Sequence, residues 1–150
     1  MAVFLVRHAA AGDREGWKGD DRLRPLTKKG RRQAQGIADQ LAPLGARHTI
    51  SSPYVRCVQT LEPMAERLGV RVEGDDRLAE GGGLGALDLV REAGEGAALC
   101  THGDVCHDVL THLARQGVVK GNLDAAKGST WVLELNGEQI VSARYLPPPA

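Results

Sequence analysis

Two histidines and an arginine stand directly after segments that are predicted to be buried strands. Arg7 and His8 follow the apolar residues 3–6, and His102 follows the apolar residues 97–101. A neutral imidazole is a competent nucleophile near pH 7, and a guanidinium group binds the oxygens of an anion through paired hydrogen bonds. These residue types favour chemistry on an anionic group at the ends of two strands.

Each of these features also has a simpler explanation when it is taken alone. An Arg-His pair at a strand end is more often a solvated terminus, and the same holds for His102-Gly103 before a helix. Arg56, within SSPYVRCVQT, fits the surface of a helix's first turns. Their coincidence favours a site, because ligands gather beyond the carboxyl ends of parallel strands.

The elements that must position these residues alternate between strands and helices. Thr27 is a predicted N-cap, Pro63 should kink the second helix or mark a boundary, and Asn136-Gly137 is a strong hairpin signal. We expect long loops at 9–26, 74–85 and 117–128. The predicted strands are 3–7, 48–51, 70–72, 97–101, 130–135 and 139–144, and the predicted helices are 27–41, 52–68, 84–93 and 104–116.

This alternation predicts an α/β fold. We expect a three-layer α/β/α sandwich whose central sheet is mostly parallel, with an antiparallel hairpin at one edge. A single domain should cover residues 1–146, and the proline-rich residues 147–150 should form a frayed tail. At 150 residues the chain is long enough to bury roughly 70% of its unfolded surface.

Charge and composition exclude several classes of partner. Nineteen basic and nineteen acidic residues cancel, so no overall field draws the protein to nucleic acid or to a membrane surface. We find neither a charged-then-apolar leader nor a run of about 18 apolar residues. Three cysteines without a CxxC pair are typical of a reducing cytoplasm. The expected form is a cytoplasmic monomer or weak dimer.

Four short motifs together resemble one known family. They are RH after the first strand, SSPYVRCVQT after the second, the acid in LAEGG, and HG after a late strand. This pattern resembles the histidine phosphatase superfamily, also called the phosphoglycerate mutase-like fold, and the resemblance covers nearly the whole chain. The compact length and the stretch GDDRLRPLTKKGRRQA are most similar to the small SixA-like phosphohistidine phosphatase branch. They are also similar to the phosphatase domain that follows a Nudix domain in some actinobacterial proteins.

The resemblance implies a cofactor-independent phosphatase with a covalent intermediate. By this resemblance His8 is the nucleophile and forms a phosphohistidine, while a backbone carbonyl holds its other ring nitrogen. Arg7, Arg56 and His102 would bind the phosphoryl group. Such an arrangement meets the needs of phosphoryl transfer, which requires an aligned nucleophile and cations over the equatorial oxygens.

Glu80 is the implied proton donor, since this superfamily usually keeps its acid in the loop before the third helix. A solvated loop carboxylate is the alternative. Gly103 and the small residues 9–12 would let backbone amides approach the phosphate. Ser52 and Thr60 are expected to cap and pack, the alternative being a hydroxyl near the phosphate.

The substrate is left open as a phosphohistidine protein, a nucleotide or a small phosphate compound. Arg14, Lys18, Arg22 and Arg24 either reach over the pocket and favour a multiply charged substrate, or belong to a solvated loop. The basic run KKGRR (28–32) is interpreted as a solvated helical turn.

Three other interpretations compete with the phosphatase. His102, Cys106 and His107 superficially resemble a metal site, but no second Cys/His pair has zinc spacing, so neither metal nor cofactor is expected. A phosphoglycerate mutase-type phosphotransferase would use the same chemistry, for which the chain is short. A non-catalytic phosphate-binding module is hard to reconcile with a complete Arg-His-Arg-His set.

Overall fold

A six-stranded sheet runs through the centre of the computed structural model, which describes residues 1–150. The strands are β1 (Ala2–Arg7), β2 (His48–Ser51), β3 (Val72–Gly74), β4 (Ala97–Thr101), β5 (Thr130–Asn136) and β6 (Gln139–Leu146). They lie in the order β3-β2-β4-β1-β5-β6. The first four are parallel, and β5 and β6 form an antiparallel hairpin on the β1 side. The predicted α/β fold is confirmed.

Helices cover both faces of the sheet. They are α1 (Lys28–Leu41), α2 (Val55–Leu68), α3 (Gly85–Glu92) and α4 (Gly103–Arg115). Alternate residues of β1 point to opposite faces: Phe4 and Val6 pack with α1 and α2, whereas Val3 and Leu5 pack with α3 and α4. The result is three layers with a core on each side of the sheet. None of the helices combines the length and the apolar character needed to cross a membrane.

Some element boundaries differ from the prediction for local reasons. The N-cap of α1 is Thr27, as expected, and its side chain accepts from the Gly30 amide. Helix α2 continues through Pro63. It begins at Val55 rather than at residue 52, because the Ser52 amide donates to Cys100 at 2.9 Å and extends the sheet. Strand β3 begins at Val72 rather than at residue 70.

The later start of β3 follows from the end of α2. Gly69 adopts a left-handed conformation with φ 71°. This conformation lets the Val70 amide return to the Ala65 carbonyl at 3.0 Å. Val70 therefore caps the helix, and the strand can form only after it.

The proline-rich tail lies against α1 instead of fraying. Pro149 packs beside Gly36, and Gln40 Nε2 donates to the Pro147 carbonyl at 3.4 Å. The tail and the outer face of α1 thus partly cover each other. The proline-rich composition of the tail did not predict this contact. The extent of the domain, residues 1–146, stays a prediction.

The sheet register places the two histidines side by side. In the parallel pair β1–β4, Arg7 lies opposite Thr101, and the His8 amide extends the ladder by donating to the Thr101 carbonyl at 3.0 Å. Because the two strands run in the same direction, His8 and His102 leave the sheet at the same edge.

A close approach at Gly30 holds α1 against the segment that follows His8. A Cβ added at Gly30 would overlap the Ala10 carbonyl oxygen and lie 3.1 Å from Leu26 Cβ. The Ala10 carbonyl also accepts from the Thr27 amide at 3.0 Å, so it cannot withdraw without losing that bond. Glycine at this position is required by packing.

We predict that Gly30→Ala destabilises the protein by roughly 2 kcal/mol, within the usual range for overpacking. Gly36→Ala is the matched control, because it lies in the same helix and meets only the terminal Pro149 ring. Alanine stabilises a helix by about 1 kcal/mol relative to glycine, and this gain should offset the free-energy cost of displacing the tail. Urea unfolding of both variants measures the difference, and equal stabilities would contradict this account of Gly30.

Candidate active site

A cavity of about 820 Å³ opens at the carboxyl ends of β1 and β4, and charged side chains dominate its lining. The catalytic and phosphate-binding residues that the resemblance implied all lie on its wall. The predicted residues that line the cavity are Arg7, His8, Arg56, Glu80, His102 and Gly103. The structure therefore brings together residues from both ends of the chain, and their individual contacts decide what each can do.

The His8 ring is held by one backbone contact. Its Nδ1 lies 2.8 Å from the Ala9 carbonyl oxygen. Because a carbonyl only accepts hydrogen bonds, this contact assigns the ring proton to Nδ1 and leaves the lone pair on Nε2. The backbone contact that the resemblance implied for this histidine is present, and Nε2 is the ring atom suited to attack an electrophile.

The His8 imidazole is neutral over the physiological range. Burial of the ring lowers the pKa of His8 from 6.5 to about 3, with further electrostatic lowering by the neighbouring His102, Arg56 and Arg7. The bond to Ala9 opposes this shift without cancelling it. A neutral ring keeps its lone pair, which nucleophilic attack requires.

His102 presents a second ring edge-on to His8, with 5.6 Å between the ring centroids. Its Nε2 lies 2.8 Å from Ser52 Oγ, and that oxygen accepts from the Tyr54 amide at 3.3 Å. The Ser52 proton is then available for Nε2, and with this assignment the proton of a neutral His102 lies on Nδ1. His102 Nδ1 is buried and has no partner.

Arg7 reaches the cavity beside the first residue of α4. Its Nη1 donates to the Ala125 carbonyl at 2.7 Å, while its Nε is buried without a partner. A Cβ at Gly103 would lie 2.8 Å from the Arg7 guanidinium carbon. Gly103 is thus needed to let the Arg7 side chain pass.

Three buried nitrogen donors of this site lack an acceptor: Arg7 Nε, Arg56 Nε and His102 Nδ1. A buried donor without a partner costs about 1–3 kcal/mol. Such a cost is expected where the acceptor arrives with a ligand, and oxygen atoms of an anion are acceptors for all three. The donor set therefore fits an oxyanion such as a phosphoryl group.

Arg56 is almost completely buried, with 1% of its side chain exposed, and it is held by carboxylates. Its Nη1 donates to the Asp21 carbonyl at 2.9 Å, and its Nη2 lies 3.1 Å from both Asp21 Oδ2 and Glu80 Oε2. The guanidinium also stacks over Tyr54, 4.9 Å from the ring centroid. Arg56 is therefore fixed in place before any substrate binds.

Glu80 lies in the cavity but is shared between two arginines. Its Oε1 accepts from Arg14 Nη2 at 2.8 Å, and its Oε2 accepts from Arg56. The side chain is 31% exposed, so it is not simply a solvated loop carboxylate. Its position fits the implied proton donor, and its role stays a prediction.

The expectation that backbone amides approach the phosphate does not hold for Ala9 and Ala10. The Ala9 amide donates to Thr60 Oγ1 at 3.0 Å, and the Ala10 amide donates to Gln33 Oε1 at 2.8 Å. These two amides of the small segment are used inside the protein, because α1 and α2 present polar side chains to it. Thr60 is thus a positioning residue for the segment after His8.

The long loop divides into residues at the cavity and residues outside it. Arg14 and Arg24 line the cavity, whereas Lys18 and Arg22 do not.

Sequence reasoning missed Asp21 and Lys127. Asp21 lies in the stretch GDDRLRPLTKKGRRQA, where it was given no role, and Lys127 stands in a loop without any pattern. No group of three or more His, Cys, Asp or Glu side chains could hold a metal ion.

The buried state of His8 predicts a pH dependence of stability. Between the folded pKa of about 3 and the unfolded value of 6.5, the unfolded chain binds more protons at this residue, so stability falls as the pH falls. The contribution of His8 to the loss from pH 7 to pH 5 should be about 2 kcal/mol. Urea unfolding of wild type and His8→Asn at both pH values measures it. An equal loss in both proteins would contradict the assignment.

Comparison with known proteins places this geometry in context. A model of the histidine phosphatase superfamily (branch 1) matches residues 3–88. The 8-oxo-(d)GTP phosphatase of Mycolicibacterium smegmatis is 37% identical, and the match covers 98% of this chain and 48% of that protein. The chain therefore spans about half the length of this curated relative.

Two solved structures share the fold. One is a structure assigned as the phosphohistidine phosphatase SixA of Nakamurella multipartitia, with a TM-score of 0.76, 23% identity, and coverage of 99% of this chain and 96% of that one. The other is the protein histidine phosphatase SixA in complex with tungstate, with a TM-score of 0.72, 21% identity, and coverage of 97% and 94%.

These findings confirm the family that the motifs predicted and support a phosphoric ester hydrolase. The family model matches more than half of the residues, and the relative from Mycolicibacterium smegmatis is similar over nearly the whole chain. The chain belongs to the histidine phosphatase superfamily, branch 1.

Proposed function

We propose that the chain is a cofactor-independent phosphatase that works through a phosphohistidine intermediate on His8. One observation carries the proposal: a neutral His8, with Nδ1 tied to the Ala9 carbonyl, stands beside three buried nitrogen donors that lack an acceptor. A nucleophile next to unfilled donors for oxygen is the minimum that phosphoryl transfer needs.

In the first step, the lone pair of His8 Nε2 attacks the phosphorus. The N–P bond forms while the bond from phosphorus to the leaving oxygen breaks, and that oxygen takes the electron pair. Nδ1 keeps its proton throughout, because the Ala9 carbonyl at 2.8 Å stabilises the positive charge that the ring gains.

Three donors hold the three oxygens of the transferred phosphoryl group. Arg7 Nε, Arg56 Nε and His102 Nδ1 would each donate to a phosphoryl oxygen and so neutralise the charge that spreads over them in the transition state. Ser52 keeps the His102 ring in the required orientation. Arg56 enters this step already fixed by Asp21 and Tyr54, so little reorganisation is needed.

Glu80 protonates the leaving group in the first step and accepts a proton from water in the second. An alkoxide must be protonated as it leaves, and Glu80 is the carboxyl group in the cavity that contacts Arg56. In the second step, water attacks the phosphorus, the N–P bond breaks and its electron pair returns to Nε2. Inorganic phosphate is released, with the proton of the water passing to the base that Glu80 has become.

The relatives support the reaction class and leave the substrate open. The 8-oxo-(d)GTP phosphatase is about twice as long as this chain, so its name describes more than the matched part. A phosphohistidine protein, a nucleotide or a small phosphate compound remains a candidate substrate. We also propose that the protein acts in the cytoplasm as a monomer or weak dimer, without nucleic acid or a membrane.

We predict that brief mixing with a radiolabelled phosphomonoester, followed by quenching in base, traps a label on His8. The label should be stable in base and lost in acid, and peptide mapping should locate it. His8→Ala should lose both the label and turnover while its circular dichroism stays unchanged. Normal turnover of wild type without any label would falsify the covalent route.

We predict that Glu80→Gln slows hydrolysis of an alkyl phosphate by a factor of about 100 to 10,000, the usual range for acid–base catalysis. An aryl phosphate should be affected far less, because its leaving group needs no proton. Steady-state rates for both substrates measure the difference.

Asp21→Asn is the matched control. Asp21 contacts the same Arg56 nitrogen at the same 3.1 Å but does not line the cavity. This variant should slow the two substrates by a common factor. If Glu80→Gln does the same, Glu80 positions Arg56 and is not the acid. A wild type that ignores alkyl phosphates would also rule out a strong general acid.

A further inference from the structure

Lys127 is a cation of the active-site cavity that has no acceptor. Three cavity arginines lie in ion pairs with Asp21 or Glu80, namely Arg14, Arg24 and Arg56. Lys127 lines the same cavity and takes part in no hydrogen bond and no ion pair. Among the arginines and lysines of this cavity, only Arg7 and Lys127 are therefore outside an ion pair.

The backbone on both sides of Lys127 is anchored to the catalytic strand end. The Gly128 amide donates to the carbonyls of Arg7 and His8 at 3.1 and 3.0 Å. On the other side, the Ala125 carbonyl accepts from Arg7 Nη1 at 2.7 Å. Although the lysine belongs to a loop, its main chain is held next to the nucleophile.

The electrostatic surroundings of Lys127 favour an anion. Partial burial lowers the pKa of Lys127, and the charges of Arg7, Arg24, Arg56 and Arg14 lower it further. The carboxylates of the cavity thus do not cancel its positive potential at this side chain. A bound anion would relieve this repulsion.

A second cavity of about 600 Å³ adjoins the first at Lys127 and contains no acidic side chain. Besides Lys127, its cations are Lys29 and Arg32 from the run KKGRR, and neither is in an ion pair. A chain of negative groups that starts in the active-site cavity can therefore continue past Lys127 without meeting an acidic side chain.

We propose that Lys127 forms a second anion subsite, which holds the phosphoryl group next to the one that His8 attacks. The preferred substrates are then phosphoanhydrides, either a nucleoside di- or triphosphate or an inorganic polyphosphate. The transferred phosphoryl group already has three donors from Arg7, Arg56 and His102. Lys127 is therefore available to bind the adjacent phosphoryl group of the substrate. This inference rests on the proposed phosphatase function and names its substrate class.

The reaction step explains why a cation belongs there. When Nε2 bonds to the terminal phosphorus, the bond from that phosphorus to the bridging oxygen breaks. The electron pair leaves with the shortened phosphate, which is stable as an anion and needs no proton at neutral pH. Lys127 would neutralise the charge that grows on this leaving group.

Binding tests the subsite without turnover. The affinity for imidodiphosphate, whose P–N–P bridge replaces the P–O–P bridge of pyrophosphate, is measured by calorimetric titration and compared with the affinity for orthophosphate. We expect wild type to bind imidodiphosphate at least tenfold more tightly, and Lys127→Met to lose most of that preference. Lys120→Met removes the same charge from the exposed part of this loop, outside both cavities, and should keep it. Equal preferences in wild type and Lys127→Met overturn the proposal.

Kinetics identify the source of the phosphoanhydride. For Lys127→Met, kcat/KM for pyrophosphate and for a nucleoside diphosphate should fall at least tenfold more than kcat/KM for an aryl phosphate. A larger wild-type value for the nucleoside diphosphate identifies nucleotides, and a larger value for pyrophosphate identifies inorganic polyphosphate. Equal losses for all three substrates contradict a subsite for the leaving group.

The two proposals fail separately. If wild type forms no phosphohistidine label but prefers imidodiphosphate through Lys127, the catalytic route is wrong and the subsite stands. If the label forms on His8 but Lys127→Met changes neither the binding preference for imidodiphosphate nor the kcat/KM preference for phosphoanhydrides, the phosphatase stands and the subsite is wrong.

Discussion

The parallel pairing of β1 with β4 is the constraint on which the whole site depends. It sets Arg7 opposite Thr101, and the next residue on each strand is a histidine. The His8 amide still belongs to this ladder, through its bond to the Thr101 carbonyl at 3.0 Å. Since a parallel pair leaves both chains at the same edge, the nucleophile and its neighbouring ring are placed by backbone hydrogen bonds before side chains contribute.

Charge compensation then decides how the arginines can be buried. An unpaired guanidinium loses several kcal/mol of hydration when it enters the interior. Arg56 avoids most of this cost because Asp21 and Glu80 both contact Nη2 and the Tyr54 ring covers its face. The same partners hold the group rigid. The loop that contains Asp21 is therefore part of the site, although it contributes no predicted catalytic residue.

Each of the two histidines has one ring nitrogen in a hydrogen bond and one that is free, and the free nitrogen differs between them. His8 ties Nδ1 to a backbone carbonyl and keeps Nε2 free, whereas His102 ties Nε2 to Ser52 and keeps Nδ1 free. Burial keeps His8 neutral by lowering its pKa to about 3. One ring can then act as a nucleophile while the other donates a hydrogen bond, although the two are the same type of residue 5.6 Å apart.

The amino-acid sequence by itself determined the alternation of strands and helices and the residues of the Arg-His-Arg-His set. The alternation follows from apolar runs such as β4, and the polar residues directly after two of these runs, Arg7, His8 and His102, predict a site at the sheet edge. The role of Arg56, which lies within α2, came from the resemblance of SSPYVRCVQT to the family. The start of β3 and the packing of the tail escaped prediction, because a capping bond at Val70 and a contact between Pro149 and Gly36 leave no mark in a hydropathy pattern. Only the tertiary structure decided which groups hold the site residues. Asp21 on Arg56 and Ser52 on His102 are contacts between residues distant in sequence, and Lys127 lines the same cavity as Arg7. The path of the intervening chain brings these groups together.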